Sequence, residues 1–230
     1  VKPYGRTVIA VRWYGYQVPR TADHEQRRRQ IADAVSRLIT EQGLDAVTVA
    51  RTAATAGISV GLVQHYFRTK DEMLLHTFRA VSARIRARVD ERIREGTAHR
   101  QPLARVMADV MTEYIPLDEA RRAEYRVARA FAGRALDAPA LAEVDTESAR
   151  RLREDIARAV HNGKECGEVD RQLDPQAAAV RLAAVMEGLA LQVYREPGGA
   201  AGESVTRYVQ PVLDAEIGAV FTGTCRQYTT

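Results

Sequence analysis

Apolar residues recur along this chain at helical spacing, and no stretch alternates as a half-buried strand would. Ile31, Val35, Leu38 and Ile39 make one stripe on a helix expected from about Ala22 to Gln42, where Gly43 stops it. Thr48 then caps a short helix to about Ala56, and Gly57-Ile58 turns the chain. Ser59 caps a second short helix ending near Phe67. A longer helix opens at Lys70-Asp71-Glu72, whose acidic first turn complements the helix dipole. It is expected to run to about Glu95 and end at Gly96.

Five more helices are predicted near 101–115, 118–136, 139–163, 174–195 and 201–221. They are separated by Pro102, Pro116, Pro139, Gly163, Pro175 and the Pro197-Gly198-Gly199 break. Asp174-Pro175 is a helix start with proline at the first helical position, whereas Pro211 should kink or divide the last helix. Residues 1–20 break the pattern with Pro3, Gly5, Gly15 and Pro19 and are expected to form a disordered arm. The fold class is therefore all-α, with a three-helix unit at residues 21–75 followed by a helical bundle at 76–230.

Composition narrows the classes that remain. The 230 residues allow one small and one medium domain, and an apolar fraction of 46% can supply their cores. No run of about 18 consecutive apolar residues occurs, and Val8–Val11 is too short for a signal-peptide core. The expectation is a cytoplasmic protein with no membrane partner. Cys166 and Cys225 lie far apart without a CxxC or Cys/His cluster, so neither a disulfide framework nor a metal site is expected, and no cofactor is implied. Residues 1–70 hold 11 Lys and Arg against 5 Asp and Glu, while the rest hold 23 against 25. That asymmetry suits an N-terminal part facing a polyanion. The Arg-rich helices interleave Arg with Glu and Ala, unlike low-complexity RNA-binding arms.

The stretch at 48–74, TVARTAATAGISVGLVQHYFRTKDEML, carries the functional signal. Two short helices joined by a Gly-containing turn match a helix-turn-helix. Ala53 and Ala54 allow a close crossing, and Ile58, Val63 and Phe67 can point inward. Val60, Gly61, Gln64 and His65 then share the opposite face. Gln64 can pair with a base edge, Val60 and Leu62 can meet thymine methyls, and Gly61 lets the backbone approach. Thr48, Ser59, His65, Tyr66 and Lys70 offer donors suited to phosphates.

Thr48, Ala53, Ala56, Gly57, Ile58, Ser59, Gly61, Val63, Tyr66, Phe67, Thr69, Lys70, Asp71 and Met73 together resemble the DNA-binding signature of TetR-type transcriptional regulators. The resemblance covers about residues 25–75. Val63-Gln64 stands where Leu-Tyr is common, and Tyr66 where many members have His, so no operator sequence transfers. GLVQHYF is similar to the betaine-responsive subgroup, but is too short to imply that ligand.

The resemblance implies a repressor whose N-terminal domain reads double-stranded operator DNA. Its all-helical C-terminal domain would bind an unidentified small-molecule effector and form a homodimer through the last two long helices. Glu187-Gly188-Leu189-Ala190 resembles an element of the family's eighth helix, and the segment around it is apolar over more than one face. Val205, Val209, Val212, Leu213, Ile217, Val220 and Phe221 give the last helix a stripe for the same interface. Candidate pocket residues are Met107, Met111, Tyr114, Tyr125, Phe131, Leu152, Ile156 and Met186. His161 is expected to be exposed, and 147–158 to be a solvated face with i,i+4 ion pairs. An enzyme is disfavoured, since HExxH, paired DDxxD-like carboxylates and a Gly-rich phosphate loop are all missing from the sequence. A non-specific architectural DNA binder would carry more positive charge and apolar wedges.

Overall fold

Side-chain caps set where the helices begin. Thr48 Oγ1 accepts from Arg51 N at 3.2 Å, Ser59 Oγ from Leu62 N at 3.2 Å, and Thr69 Oγ1 from Glu72 N at 3.0 Å. Asp118 and Asp174 cap two later helices in the same way, at 2.8 and 2.9 Å. The computed structural model describes residues 20–196 and 205–226. Their regular structure is α1 (Arg20–Gln42), a 3-10 turn (Leu44–Ala46), α2 (Val49–Ala56), α3 (Val60–Tyr66), α4 (Lys70–Ala98), α5 (Leu103–Thr112), α6 (Glu119–Ala135), α7 (Pro139–Cys166), α8 (Pro175–Arg195) and α9 (Thr206–Gly218). The fold is all-α, with no strand among the described residues. The expected arm at 1–20 lies, apart from Arg20, outside the described residues, as do residues 201–204 of the last predicted helix.

Two glycines expected to end helices lie inside them instead. α4 continues through Gly96, where an added Cβ would come within 2.4 Å of Val106, so this glycine lets α5 approach closely. α7 likewise passes Gly163, which sits against Val169, and stops at Gly167 in the left-handed conformation with φ 97°. Pro211 does not divide α9. Val209, Leu213 and Ile217 are buried on either side of it, and that packing holds the helix together across the proline.

Two apolar cores result. One joins α1, α2 and α3 to the first turns of α4, through Ile31, Val35, Val63, Phe67, Met73 and Leu74. The same cluster extends to Phe78, Val81, Val127, Phe131, Ala135 and Leu141. The other lies within α5, α7, α8 and α9, built on Met107, Met111, Val160, Leu182, Leu213 and Phe221 among others. Each fully buried large side chain contributes about 1.5–3 kcal/mol.

α8 is, by length and composition alone, apolar enough to cross a membrane. Its inner flank (Ala179, Leu182, Met186) packs into the second core, and its outer flank exposes Ala177, Val180, Ala184 and Gly188. The α9 stripe expected at a partner interface turns inward instead: Val209, Leu213, Ile217, Val220 and Phe221 are all buried in the chain's own core. Tyr208, Pro211 and Ala215 are exposed on α9, among polar residues such as Gln210 and Asp214.

Candidate nucleic-acid interface and effector cavity

α3 is held from beneath and presents its other side to solvent. Val63 and Phe67 are buried in the first core, and Ile58 is half-buried. Thr48, Ser59, Val60, Gly61, Gln64 and His65 are exposed, while Leu62, Tyr66 and Lys70 are half-buried. Thr48 and Ser59 use an oxygen lone pair on their caps, which leaves each O–H able to donate outward. Tyr66 packs its ring on His24 at 4.7 Å and on the edge of His65 at 5.2 Å, which fixes its direction.

α1 locks the pair of short helices in place. Gln30 Nε2 donates to the Ala56 carbonyl at 2.7 Å, and Arg37 donates to that of Thr55 at 2.9 Å, so the last turn of α2 is satisfied from outside. Gly57, with φ 68°, makes the turn at low cost. Arg28 lies over the Phe67 ring at 4.7 Å and meets His76 Nδ1 at 3.3 Å. Burial, and then the Arg28 charge, lowers the His76 pKa below its ordinary value.

Two cations beside this face were missed by the sequence analysis. Arg51 is exposed on α2 and hydrogen-bonds Gln42; Arg68 is exposed in the α3–α4 turn, where its backbone N–H donates to Glu72 at 2.7 Å. Both occupy positions the recognised pattern leaves unspecified. Only their charge, next to Lys70 and a helix N-terminus, could have marked them.

A cavity of about 810 Å³ opens between α4, α6, α7 and α8. Phe78, Val81, Ile85, Ala128, Leu152 and Met186 supply much of its apolar wall. Of the candidate pocket residues, Tyr114, Tyr125, Leu152 and Met186 line it. Met107, Met111 and Ile156 do not; they are packed in the core of the bundle. Phe131 also stands outside the cavity, stacked on Phe78 with ring centroids 4.0 Å apart in the first core. Helical spacing shows which residues turn inward, but not whether they meet a neighbour or a void. Burial pushes both Tyr114 and Tyr125 up in pKa, so each keeps its phenol proton and can donate to a guest.

One end of the cavity is a charged cluster with no counterpart in the sequence analysis. Glu113, only 2% exposed, accepts from Arg88 at 3.0 Å and Arg92 at 2.9 Å, with Arg121 at 3.4 Å. Glu124 accepts from Arg88 at 2.7 Å and Arg84 at 3.3 Å. Burial pushes the Glu113 carboxyl up, but the Arg92 and Arg88 hydrogen bonds and the Arg121 charge outweigh it and hold the pKa below the ordinary range. Arg84, Arg88 and Arg92 repeat every four residues on one face of α4. Such a row of like charges repels itself unless anions face it, and that was the available signal.

Residues 147–158 are more than a solvated face. Glu147 pairs with Arg150 at 2.8 Å and Arg151 at 2.5 Å on the outside. The same segment, however, contributes Ser148, Ala149 and Leu152 to the cavity wall, and Asp155 bonds Arg86 of α4 at 2.7 Å. A long amphipathic helix has two working sides. His161 is exposed and lies 3.7 Å from Glu165.

α6 reaches from the cavity to the reading head. Tyr125 and Ala128 line the cavity, and Phe131 enters the first core. Arg134 then holds Asp71, in the first turn of α4, through two bonds of 2.9 and 3.0 Å.

A capped helix pair with an exposed second helix, set on an all-helical body, defines a helix-turn-helix transcriptional regulator. Two family models match the chain: "Bacterial regulatory proteins, tetR family" over residues 31–77, and "BetI-type transcriptional repressor, C-terminal" over 102–218. It is 31% identical over 180 residues to the HTH-type transcriptional regulator BetI of Escherichia coli O17:K52:H18, covering 76% of this chain and 86% of that one. It is 29% identical over 193 residues to the regulator PksA of Bacillus subtilis, covering 78% and 84%. Among solved structures, a transcriptional regulator from Rhodococcus sp. Rha1 superposes with a TM-score of 0.70 at 31% identity, over 85% of this chain and 96% of that one. A regulator from Saccharomonospora viridis in complex with choline gives 0.69 at 24% identity, over 84% and 96%, a likeness of fold alone. The chain belongs to the TetR family of bacterial transcriptional regulators, which are DNA-binding proteins and not enzymes.

Proposed function

We propose that this chain is a cytoplasmic, effector-released repressor with a reading head at 21–75 and a sensing and dimerising body at 76–230. α3 would lie in the major groove with Gln64, Val60, Gly61 and Leu62 against base edges. Thr48, Ser59, His65, Tyr66 and Lys70 would hold phosphates, joined by the exposed Arg51 and Arg68. The observation that carries the reading is the sharing of α4 and α6 between the cavity wall and the core beneath α3. A guest that prefers one cavity shape therefore biases the position of the head, by no more than its differential affinity for the two states.

A two-fold dimer supports this use of the head, because two copies of α3 about 34–36 Å apart, or a multiple of that, match successive grooves. The outer flank of α8 (Ala177, Val180) and that of α9 (Tyr208, Pro211, Ala215) suit such an interface. Val180 is 56% exposed and Tyr208 48%. Arg181 and Glu216, paired across α8 and α9 at 2.6 Å, sit beside that surface. The cavity suits a small, largely apolar effector with an acceptor for the Tyr114 or Tyr125 phenol. The choline in the Saccharomonospora viridis structure concerns that protein, and no effector is carried over from it.

The test is binding to DNA upstream of the chain's own gene, with random competitor and a salt series. Lys70→Ala and Tyr66→Ala should each weaken binding to all sequences; Lys70→Ala should lower the salt slope by about 1, whereas Tyr66→Ala, which removes no charge, should leave it nearly unchanged. Gln64→Ala should cost about 1–3 kcal/mol on the preferred site alone. Competition by random DNA as effective as by the chosen site would favour an architectural role. Binding left intact in all three variants would remove this face from contact with DNA.

A further inference from the structure

The two cysteines, far apart in the chain, meet at the end of the bundle. α7 ends at Cys166, and Gly167, with φ 97°, reverses the chain so that Glu168 turns back toward the Cys166 side chain. The segment after α9 then runs across this turn. Gly223 N donates to the Glu168 carbonyl at 2.9 Å, and Arg226 N to the Cys166 carbonyl at 2.8 Å. Glycine is required at both crossing points: a Cβ on Gly223 would collide with the Gly167 carbonyl oxygen, and Gly167 itself lies in the left-handed region that favours glycine. Those bonds bring Cys225 to Cys166. The Cys166 and Cys225 sulfurs and a Glu168 oxygen all lie within 4.8 Å of one another.

We propose that Cys166, Glu168 and Cys225 form a binding site for a thiophilic divalent cation of the zinc type. In a tetrahedral zinc site, bonds of about 2.3 Å to sulfur and about 2.1 Å to oxygen set neighbouring donors about 3.6–3.8 Å apart. Cys166 Sγ and Glu168 Oε1 already stand 3.7 Å apart. The Glu168 carboxylate is 1% exposed and accepts from the Leu103 and Ala104 backbone at 2.9 and 3.1 Å, which fixes its orientation as an outer shell should. Each of its oxygens keeps a second lone pair for a metal. Two thiolates and a carboxylate around a dication leave one net negative charge. The N-terminal turn of α5, whose Leu103 and Ala104 N–H groups point at Glu168, faces that charge. Cys225 is half-buried, so a water can complete the coordination from the solvent side.

The alternative use of a thiol pair is redox sensing by disulfide formation; the buried Glu168 carboxylate, beside both sulfurs and held by the Leu103 and Ala104 N–H groups, has no part in that chemistry. A bound cation would tie the C-terminal segment to the end of α7 and, through Glu168, to the start of α5. It would act as a structural clasp, independent of any effector in the cavity.

Cobalt(II) is the probe, added to full-length protein kept reduced with a phosphine that does not chelate metals. About one Co2+ per chain should bind, with the near-ultraviolet sulfur-to-cobalt charge-transfer band and the visible bands of a tetrahedral ion; zinc should displace it. Cys225→Ser, at a half-buried position and nearly the same in size, should lose most of the charge-transfer band. Its circular dichroism should be unchanged, and zinc should raise the Tm of the parent but not of the variant. Three results would overturn the proposal. One is no charge-transfer band at micromolar metal; a second is visible bands without the sulfur band; the third is a spectrum unaltered in Cys225→Ser.

Discussion

The reading head and the body treat buried polar groups in opposite ways. The head is an apolar core in which the Thr52 hydroxyl and the Nε2 of His76 are the buried side-chain atoms, among the described residues, without a hydrogen-bond partner. The body buries Glu113, Glu124 and Glu168, each with donors around it, and is hollowed by an open cavity of about 810 Å³. Close apolar packing has few alternative arrangements of similar energy, which suits a surface that must present one geometry to DNA. A body with a large void forgoes contacts along its lining, and a guest restores them. Such a lining has room to rearrange around a guest. α4 and α6 belong to both regions, so a change of shape in one is felt by the other.

The most damaging way to test this division is at the joint. Phe131 is wholly buried and stacked on Phe78, itself on the cavity wall. Phe131→Ala should destabilise the protein by about 3–5 kcal/mol in urea unfolding and weaken DNA binding in the same preparation. Phe131→Leu should recover most of the loss. A loss below about 1 kcal/mol would mean that Phe131 does not hold α6 to the first core.

A smaller effect separates stability from communication. The Arg134–Asp71 pair is bidentate, but both side chains are more than a third exposed, so solvent screens it and it adds little to stability. Arg134→Ala should leave Tm and DNA affinity nearly unchanged while lowering, several-fold, the effector concentration dependence of release. If release is unaltered, α6 carries its signal through packing at Phe131 alone.

The head was legible because its determinants are local. Thr48, Gly57, Ser59 and Thr69 fix caps and turns within four residues of themselves, and they appear in order along the sequence. The cavity was half legible. Helical periodicity marked Tyr114, Tyr125, Leu152 and Met186 as inward, but it marked Met107, Met111, Ile156 and Phe131 equally. Only the packing of four distant helices decides which side chains face a void. The cluster of Arg84, Arg88 and Arg92 with Glu113 and Glu124, and the meeting of Cys166 with Cys225, join residues from different helices and loops. No spacing rule reaches across those gaps. Gly96 and Gly163 misled for the same reason: a glycine that admits a neighbouring helix looks, in sequence, like one that ends its own.

The smallest effect asks how rigid the head is. His76 lies under Phe67, at 5.2 Å between rings, with Arg28 at 3.3 Å and with Glu25 and Arg79 as the other charges felt at the ring. Burial first and the Arg28 charge second lower its pKa in the folded chain below 6.5. The folded state thus binds the proton less readily than the unfolded one, and stability must rise with pH across that window. The contribution is fully present above about pH 6.5, is lost as pH falls from there toward the folded pKa, and does not decline further below it. The urea midpoint of the parent protein should therefore drop slightly between about pH 7.5 and 5.5, and that drop should shrink in His76→Leu. Operator binding measured over the same range carries the sharper information. A rigid head loses stability on protonation without changing its α3 face, so affinity corrected for the unfolded fraction stays level. A fall in that corrected affinity, absent from His76→Leu, would show that charge beneath Phe67 displaces α3, and that the head yields to its interior as the body does.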